Sequence, residues 1–299
     1  MTGLPAQVGA PVAAPVAAPV VATAGSTDPA APLVVLLHGR GSSERDIIGL
    51  VDDLPPGPAY AAVRAPIAEG GGYAWFANRG IGRPVAESLR ATMDWFRGWL
   101  DAVAPAGRPV VLVGFSGGAA FAGGLLLDDP DRYAGGAILY GTLPFDAGVP
   151  TTPARLAGVP VVVAQGEGDT VIPRELLDRT WDYLLGESGA PTTARRDAVG
   201  HVIAPEALAT VGGWLAERLG YLARHGRPAP EPASWPTLPG GVLPGRTGPR
   251  PTVSDRIPQQ QLNDNAPPEL QEQLVERIAA LPGVTTAGSA ISVPGSAAI

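Results

Sequence analysis

The sequence predicts an α/β protein built on a mainly parallel, doubly wound sheet with helices on both faces. Three observations predict it. Short continuous apolar runs, rich in β-branched residues, recur through the middle of the chain, as expected of strands covered on both sides. Segments with helical apolar spacing separate those runs. The composition, 45% hydrophobic and 16% charged over 299 residues, allows one sizeable buried core.

Residues 1–31, with their repeated "APVA", are expected to form a flexible, polyproline-like leader that carries at most one strand. The texture changes at "PLVVLLHG", from Pro32, the first strand of the sheet proper. "AYAAVRAP" from Ala59, "RPVVLVGF" from Arg108, "YAGGAILYG" from Tyr133 and "VPVVVAQG" from Val159 repeat it, and "TTARRDAV" from Thr192 is a weaker edge strand. Helical spacing runs over 85–103, 117–127, 174–185 and 204–222. Strands and helices alternating at this length make right-handed crossovers, which put sites beyond the carboxyl ends of the strands.

The globular unit is accordingly bounded at 32–225. Residues 226–267 are Pro/Gly-rich and read as a linker. In 268–299, Leu270, Leu274, Ile278 and Leu281 share one face of a short amphipathic helix, followed by a hairpin-like end. So small a unit cannot sustain a core alone, so it reads as a docked tail, a self-association element or a truncated second domain.

Several function classes are excluded. A formal net charge of −7 gives no attraction to a phosphate backbone, so no nucleic-acid partner is expected. Without cysteine there is neither a disulfide nor a thiol nucleophile. The only histidines are His38, His201 and His225, with no H-E-x-x-H pair, and no metal or other cofactor is expected. No segment supplies the roughly 18 consecutive apolar residues of a membrane span. The N-terminus lacks a basic n-region and is interrupted by prolines, so a soluble, cytoplasmic protein is expected.

The chemistry centres on "VLVGFSGGAA", 111–120. G-x-S-x-G is a weak signal alone, but here the serine directly follows an apolar strand and precedes a helix of small residues, the strand-turn-helix context of a nucleophile elbow. A serine hydroxyl needs a base to take its proton. His201, in "AVGHVIAP", lies after the last strand and fits the order serine, acid, histidine; His38 precedes the serine and His225 lies where the linker begins. The acid expected between them is Asp169, in "GEGDTVIP"; Asp146 and Glu167 are rivals. Backbone amides of Gly117, after the serine, and Arg40, after the first strand, are the candidate oxyanion donors. The alternative for "HGRG", a phosphate loop, lacks the required lysine and third glycine.

Together "LLHGRGSS", "GFSGG", "GEGDTVIP" and "GHVI" resemble the α/β-hydrolase superfamily, and within it the small carboxylesterase, lysophospholipase and acyl-protein thioesterase group. The resemblance spans roughly 32–224. It implies the α/β-hydrolase fold, Ser116 as nucleophile, Asp169 as acid, His201 as base, Arg40 and Gly117 as the oxyanion hole, and a small-molecule ester substrate. It also implies an acyl pocket walled by Tyr73, Trp75 and Phe76 of "GGYAWFANRG", with Leu143, Ile172 and Val202; the alternative is that the aromatics belong to the core. Gly117 stands where the group often has glutamine, and Arg40 where it usually has an apolar residue, which weighs against thioesterase or phospholipid specificity. A thioesterase, peptidase or dienelactone-type hydrolase on the same triad, and a non-catalytic binding module with this fold, are the alternatives. The tail from about Trp235 is similar to the start of a luciferase-like domain.

Overall fold

The computed structural model describes residues 18–226. Seven strands form the main sheet: β1 (Val21–Gly25), β2 (Leu33–Leu37), β3 (Ala59–Val63), β4 (Val110–Phe115), β5 (Gly135–Leu139), β6 (Val161–Gly166) and β7 (Thr192–Asp197). Their order is β1-β3-β2-β4-β5-β6-β7. All neighbours are parallel except β1, which runs antiparallel to β3 with Val21 opposite Val63. The sheet therefore starts upstream of Pro32, and the end of the expected leader is an edge strand. Four longer helices, α1 (Ala86–Val103), α2 (Gly117–Asp128), α3 (Arg174–Asp182) and α4 (Pro205–His225), connect or close the strands.

Alternation along each strand splits the core into two layers. Leu33, Val35 and Leu37 face Leu89, Met93 and Phe96 of α1 and the small and leucine side chains of α2. Val34 and Leu36 face the other way, in the layer formed with Ala207, Val211, Trp214 and Leu215 of α4 and Leu50 and Leu54 of the first crossover. Because both faces are covered, every residue of β2 is buried, which explains its unbroken apolar run.

Three features depart from the expected elements. The helix expected over 174–185 ends at Asp182, and the next turn, Tyr183–Glu187, widens into a π-helical turn closed by a Ser188 N–H to Tyr183 carbonyl bond of 2.8 Å. Two short antiparallel hairpins precede α1, pairing Ile67–Glu69 with Gly72–Ala74 and Asn78–Gly80 with Arg83–Pro84. His225, expected where the linker begins, occupies the last turn of α4 and stacks on Tyr221 at 4.3 Å. The helix expected over 269–281 and the hairpin-like end lie outside the described residues. Among the described residues no helix is long and apolar enough to cross a membrane, and no cluster of His, Asp or Glu is placed to hold a metal.

Candidate active site

Ser116 sits at the turn between β4 and α2 with φ 53° and ψ −116°, a left-handed conformation that is costly for a residue with a side chain. The turn is held from both sides. Ser116 N–H donates to the Leu139 carbonyl at 2.9 Å, while Ala119 and Ala120 N–H close the helix onto the Ser116 carbonyl at 3.0 and 3.2 Å. So tight an elbow leaves no room for side chains around it. A Cβ at Gly114 would collide with the Gly118 carbonyl, and one at Gly118 would collide with the Leu37 carbonyl.

Loops from the carboxyl ends of β6 and β7 deliver the other two side chains. His201 Nε2 lies 2.7 Å from Ser116 Oγ, and its Nδ1 lies 2.8 Å from Asp169 Oδ2. The carboxylate side chain is fully buried and the imidazole nearly so. Asp169 Oδ1 accepts the N–H groups of Val171 and Ile172 at 2.9 and 3.0 Å, so both carboxylate oxygens are engaged and the group is fixed in one orientation. The loops are tied together by Gly168 N–H to the Val199 carbonyl at 3.0 Å and Glu167 N–H to the Asp197 carbonyl at 2.8 Å. The rival acids lie elsewhere: Asp146 pairs with Arg179 at the surface, and Glu167 is exposed.

On the other side of the serine, Arg40 comes beside Gly117, where a Cβ would stand 3.3 Å from the Arg40 amide nitrogen. The buried His38 at the end of β2 supports this loop. Its Nδ1 donates to the Gly39 carbonyl at 2.7 Å, and its Nε2 accepts the Ala65 N–H at 3.0 Å, an arrangement that requires the neutral ring. Burial holds the His38 imidazole below the usual histidine range.

The residues expected to wall a pocket divide. Trp75 is a core residue: it is 1% exposed, stacks on Phe121 at 4.4 Å and donates its indole N–H to the His38 carbonyl at 2.9 Å. Phe76 and Leu143 are also buried in that layer, with Leu143 packed against α2 at Gly123. Tyr73 is half-buried under the Arg64 guanidinium, Ile172 belongs to a small cluster with Leu176 and Leu177, and Val202 is half-buried next to His201. A surface cavity of about 460 Å³ lies over α3, lined by residues that include Phe145, Asp178, Arg179 and Tyr183, and by none of these six.

One residue of the site gave no sequence signal. Tyr140, just after β5, is fully buried with φ 47°. Its Oη donates to Asp197 Oδ2 at 2.5 Å and accepts the Ala204 N–H at 3.1 Å, which fastens both ends of the loop carrying His201. Burial first, and then the Asp197 hydrogen bond, push its phenol well above the ordinary tyrosine range.

Residues 18–217 match the family model described as phospholipase/carboxylesterase, about two thirds of the chain. The chain belongs to the phospholipase/carboxylesterase family. The putative hydrolase MhqD of Bacillus subtilis (strain 168) is 27% identical over 198 residues, 62% of this chain and 94% of that protein. Two solved structures share the fold. The Bacillus cereus carboxylesterase superposes with a TM-score of 0.61 at 22% identity, covering 68% of this chain and 96% of its own. Zea mays acyl-protein thioesterase 2 gives 0.55 at 22% identity, covering 67% and 99%. As a member of this family the protein is an esterase-type hydrolase with the α/β-hydrolase fold.

Proposed function

We propose that the chain is a serine carboxylic-ester hydrolase that works on small to medium acyl esters through an acyl-enzyme on Ser116. The observation that carries this reading is the continuous relay of Ser116 Oγ, His201 and buried Asp169, with links of 2.7 and 2.8 Å, at a backbone strained to present the hydroxyl. Ser116 Oγ attacks the ester carbonyl while His201 Nε2 takes its proton, and Asp169 holds the Nδ1–H tautomer and stabilises the imidazolium. The oxyanion is received by the amides of Gly117, at the start of α2, and Arg40. His201 then protonates the leaving alcohol, and water, activated by the same histidine, releases the acid.

The ester reading is preferred over thioester or amide cleavage because the matching family is described as phospholipase/carboxylesterase, whereas the likeness to acyl-protein thioesterase 2 is one of fold. A non-catalytic binding module has no use for a strained serine aligned on a histidine–carboxylate pair. The test is labelling by a fluorophosphonate alongside hydrolysis of p-nitrophenyl acetate. Wild type is expected to be labelled and to turn over, and Ser116→Ala to lose both. Folded wild type that neither labels nor hydrolyses would remove the reading and leave the binding module in its place.

A further inference from the structure

We propose that Glu69 is a positioning residue for the oxyanion hole, holding the Arg40 amide in place through an ion pair with the Arg40 side chain. This rests on the serine-esterase function proposed above. The Arg40 guanidinium is gripped at three points: Nε donates to Glu69 Oε1 at 2.6 Å, Nη2 to Glu69 Oε2 at 2.5 Å, and Nη1 to the Phe76 carbonyl at 3.1 Å. A fork-to-fork pair fixes orientation as well as distance, which the point charge of a lysine does not.

Both acceptors belong to the first hairpin and the residues just after it, and the same segment holds the main chain around Arg40. Gly41 N–H donates to the Tyr73 carbonyl at 2.9 Å, Tyr73 N–H donates to the Ser42 carbonyl at 3.0 Å, and the Trp75 indole N–H donates to the His38 carbonyl at 2.9 Å. Hairpin and loop are packed so closely that a Cβ at Gly72 would collide with the Gly41 carbonyl. His38, Gly41 and Ser42 are thus anchored through their main chain, and Arg40 is anchored through its side chain. The amide between these anchors is the one beside Gly117.

The pair is half-exposed, with side chains 36% and 41% accessible, so it adds little to global stability. Its leverage is geometric. An oxyanion donor acts only when its nitrogen stands at hydrogen-bond distance from the oxygen that becomes charged, and removing one donor costs roughly 100- to 1,000-fold in rate. A misplacement of about 1 Å costs up to roughly 100-fold. Loosening the Arg40 amide without removing it therefore costs less than losing the donor, about 10- to 100-fold, and it acts on the transition state rather than on substrate binding.

The test uses the full chain with Glu69→Ala, Glu69→Gln, Arg40→Ala and the Glu69→Ala/Arg40→Ala double variant. It reads ester kcat and KM, inhibition by benzeneboronic acid as a tetrahedral mimic, and thermal unfolding. Glu69→Ala and Arg40→Ala are each expected to lower kcat about 10- to 100-fold at a KM within about twofold, and to weaken the boronate by the same factor. Their unfolding temperatures should match wild type. The double variant should be no slower than the slower single, and Glu69→Gln, which keeps one acceptor oxygen, should fall between wild type and Glu69→Ala. Glu175→Gln, which breaks the exposed pair with Arg83 on the second hairpin, should react at the wild-type rate. The proposal is overturned by an active wild type with unchanged kcat and boronate affinity in Glu69→Ala, by losses that multiply in the double variant, or by an equal loss in Glu175→Gln. Wild type that neither hydrolyses esters nor takes a fluorophosphonate overturns the function itself, a distinct outcome.

Discussion

His38 carries a cost that the rest of the loop depends on. It is fully buried, and its Nε2 must stay unprotonated to accept the Ala65 N–H. Burial lowers its pKa in the folded chain, whereas the unfolded chain keeps the ordinary value of about 6.5. Below that value the unfolded state binds a proton that the folded state refuses. Stability from His38 is thus complete above about pH 6.5 and declines as pH falls, until the folded-state value is reached. Urea midpoints at pH 7.5 and 5.5 should show wild type losing more stability on acidification than His38→Gln. His201 and His225 are common to both proteins and cancel in the difference, so parallel losses would mean that His38 titrates without consequence. At this scale the sequence was readable where chemistry leaves a local mark. Ser116 lies in a motif, and Asp169 and His201 follow in the expected order, so the three hydrogen-bonded side chains could be grouped from the sequence. The pairs Arg40–Glu69 and Tyr140–Asp197, 29 and 57 positions apart, belong to no motif and become visible only once strands are neighbours. Trp75 was ambiguous because pocket walls and cores draw on the same residue types.

At the scale of elements, the long ones announced themselves and the short ones did not. Strands β2 to β6 are buried on both faces and therefore read as unbroken apolar runs, while two- and three-residue hairpin strands are too brief for any period to register. β1, "VATAG", has the same composition as the leader before it and is distinguished only by its pairing with β3. The elbow between β4 and α2 brings backbone against backbone, which gives glycine two opposite meanings on neighbouring helices. At Gly118 of α2 a Cβ would collide with the Leu37 carbonyl and stand 2.6 Å from the His38 carbonyl, both backbone atoms of the central sheet. At Gly98 of α1 a Cβ would meet nothing within 4 Å. Gly118→Ala is therefore expected to destabilise by about 1–3 kcal/mol through overpacking and to slow turnover by displacing Ser116. Gly98→Ala should stabilise by up to about 1 kcal/mol, the helix-propensity difference between the two residues. Thermal unfolding of the two variants should move in opposite directions; a shared direction would mean that the elbow relaxes more easily than its backbone contacts imply.

On the scale of the whole molecule, the proposed site draws on the carboxyl ends of four parallel strands: Arg40 follows β2, Ser116 β4, Asp169 β6 and His201 β7. β5 contributes Tyr140 behind them. Every strand that carries a site residue lies within 33–197, and α4 closes the second core layer with a last turn at His225. Solved neighbours superpose over 96% and 99% of their own length while covering only 68% and 67% of this chain, so a complete fold of this kind fits in the described part. The described residues are therefore expected to suffice for the proposed chemistry. Truncation after Gly226 should leave kcat and KM for p-nitrophenyl acetate within about twofold of the full chain and shift the unfolding midpoint by no more than a few degrees, about 1 kcal/mol at this size. Truncation upstream, removing β1 through Gly25, should behave differently. It uncovers the β3 edge, strips five residues of antiparallel pairing, and takes away the Val20 carbonyl that accepts Arg64 N–H at 2.9 Å. Loss of solubility or an early unfolding transition is expected for that variant, and comparable behaviour of the two truncations would show that the folded unit is wrongly bounded at one end.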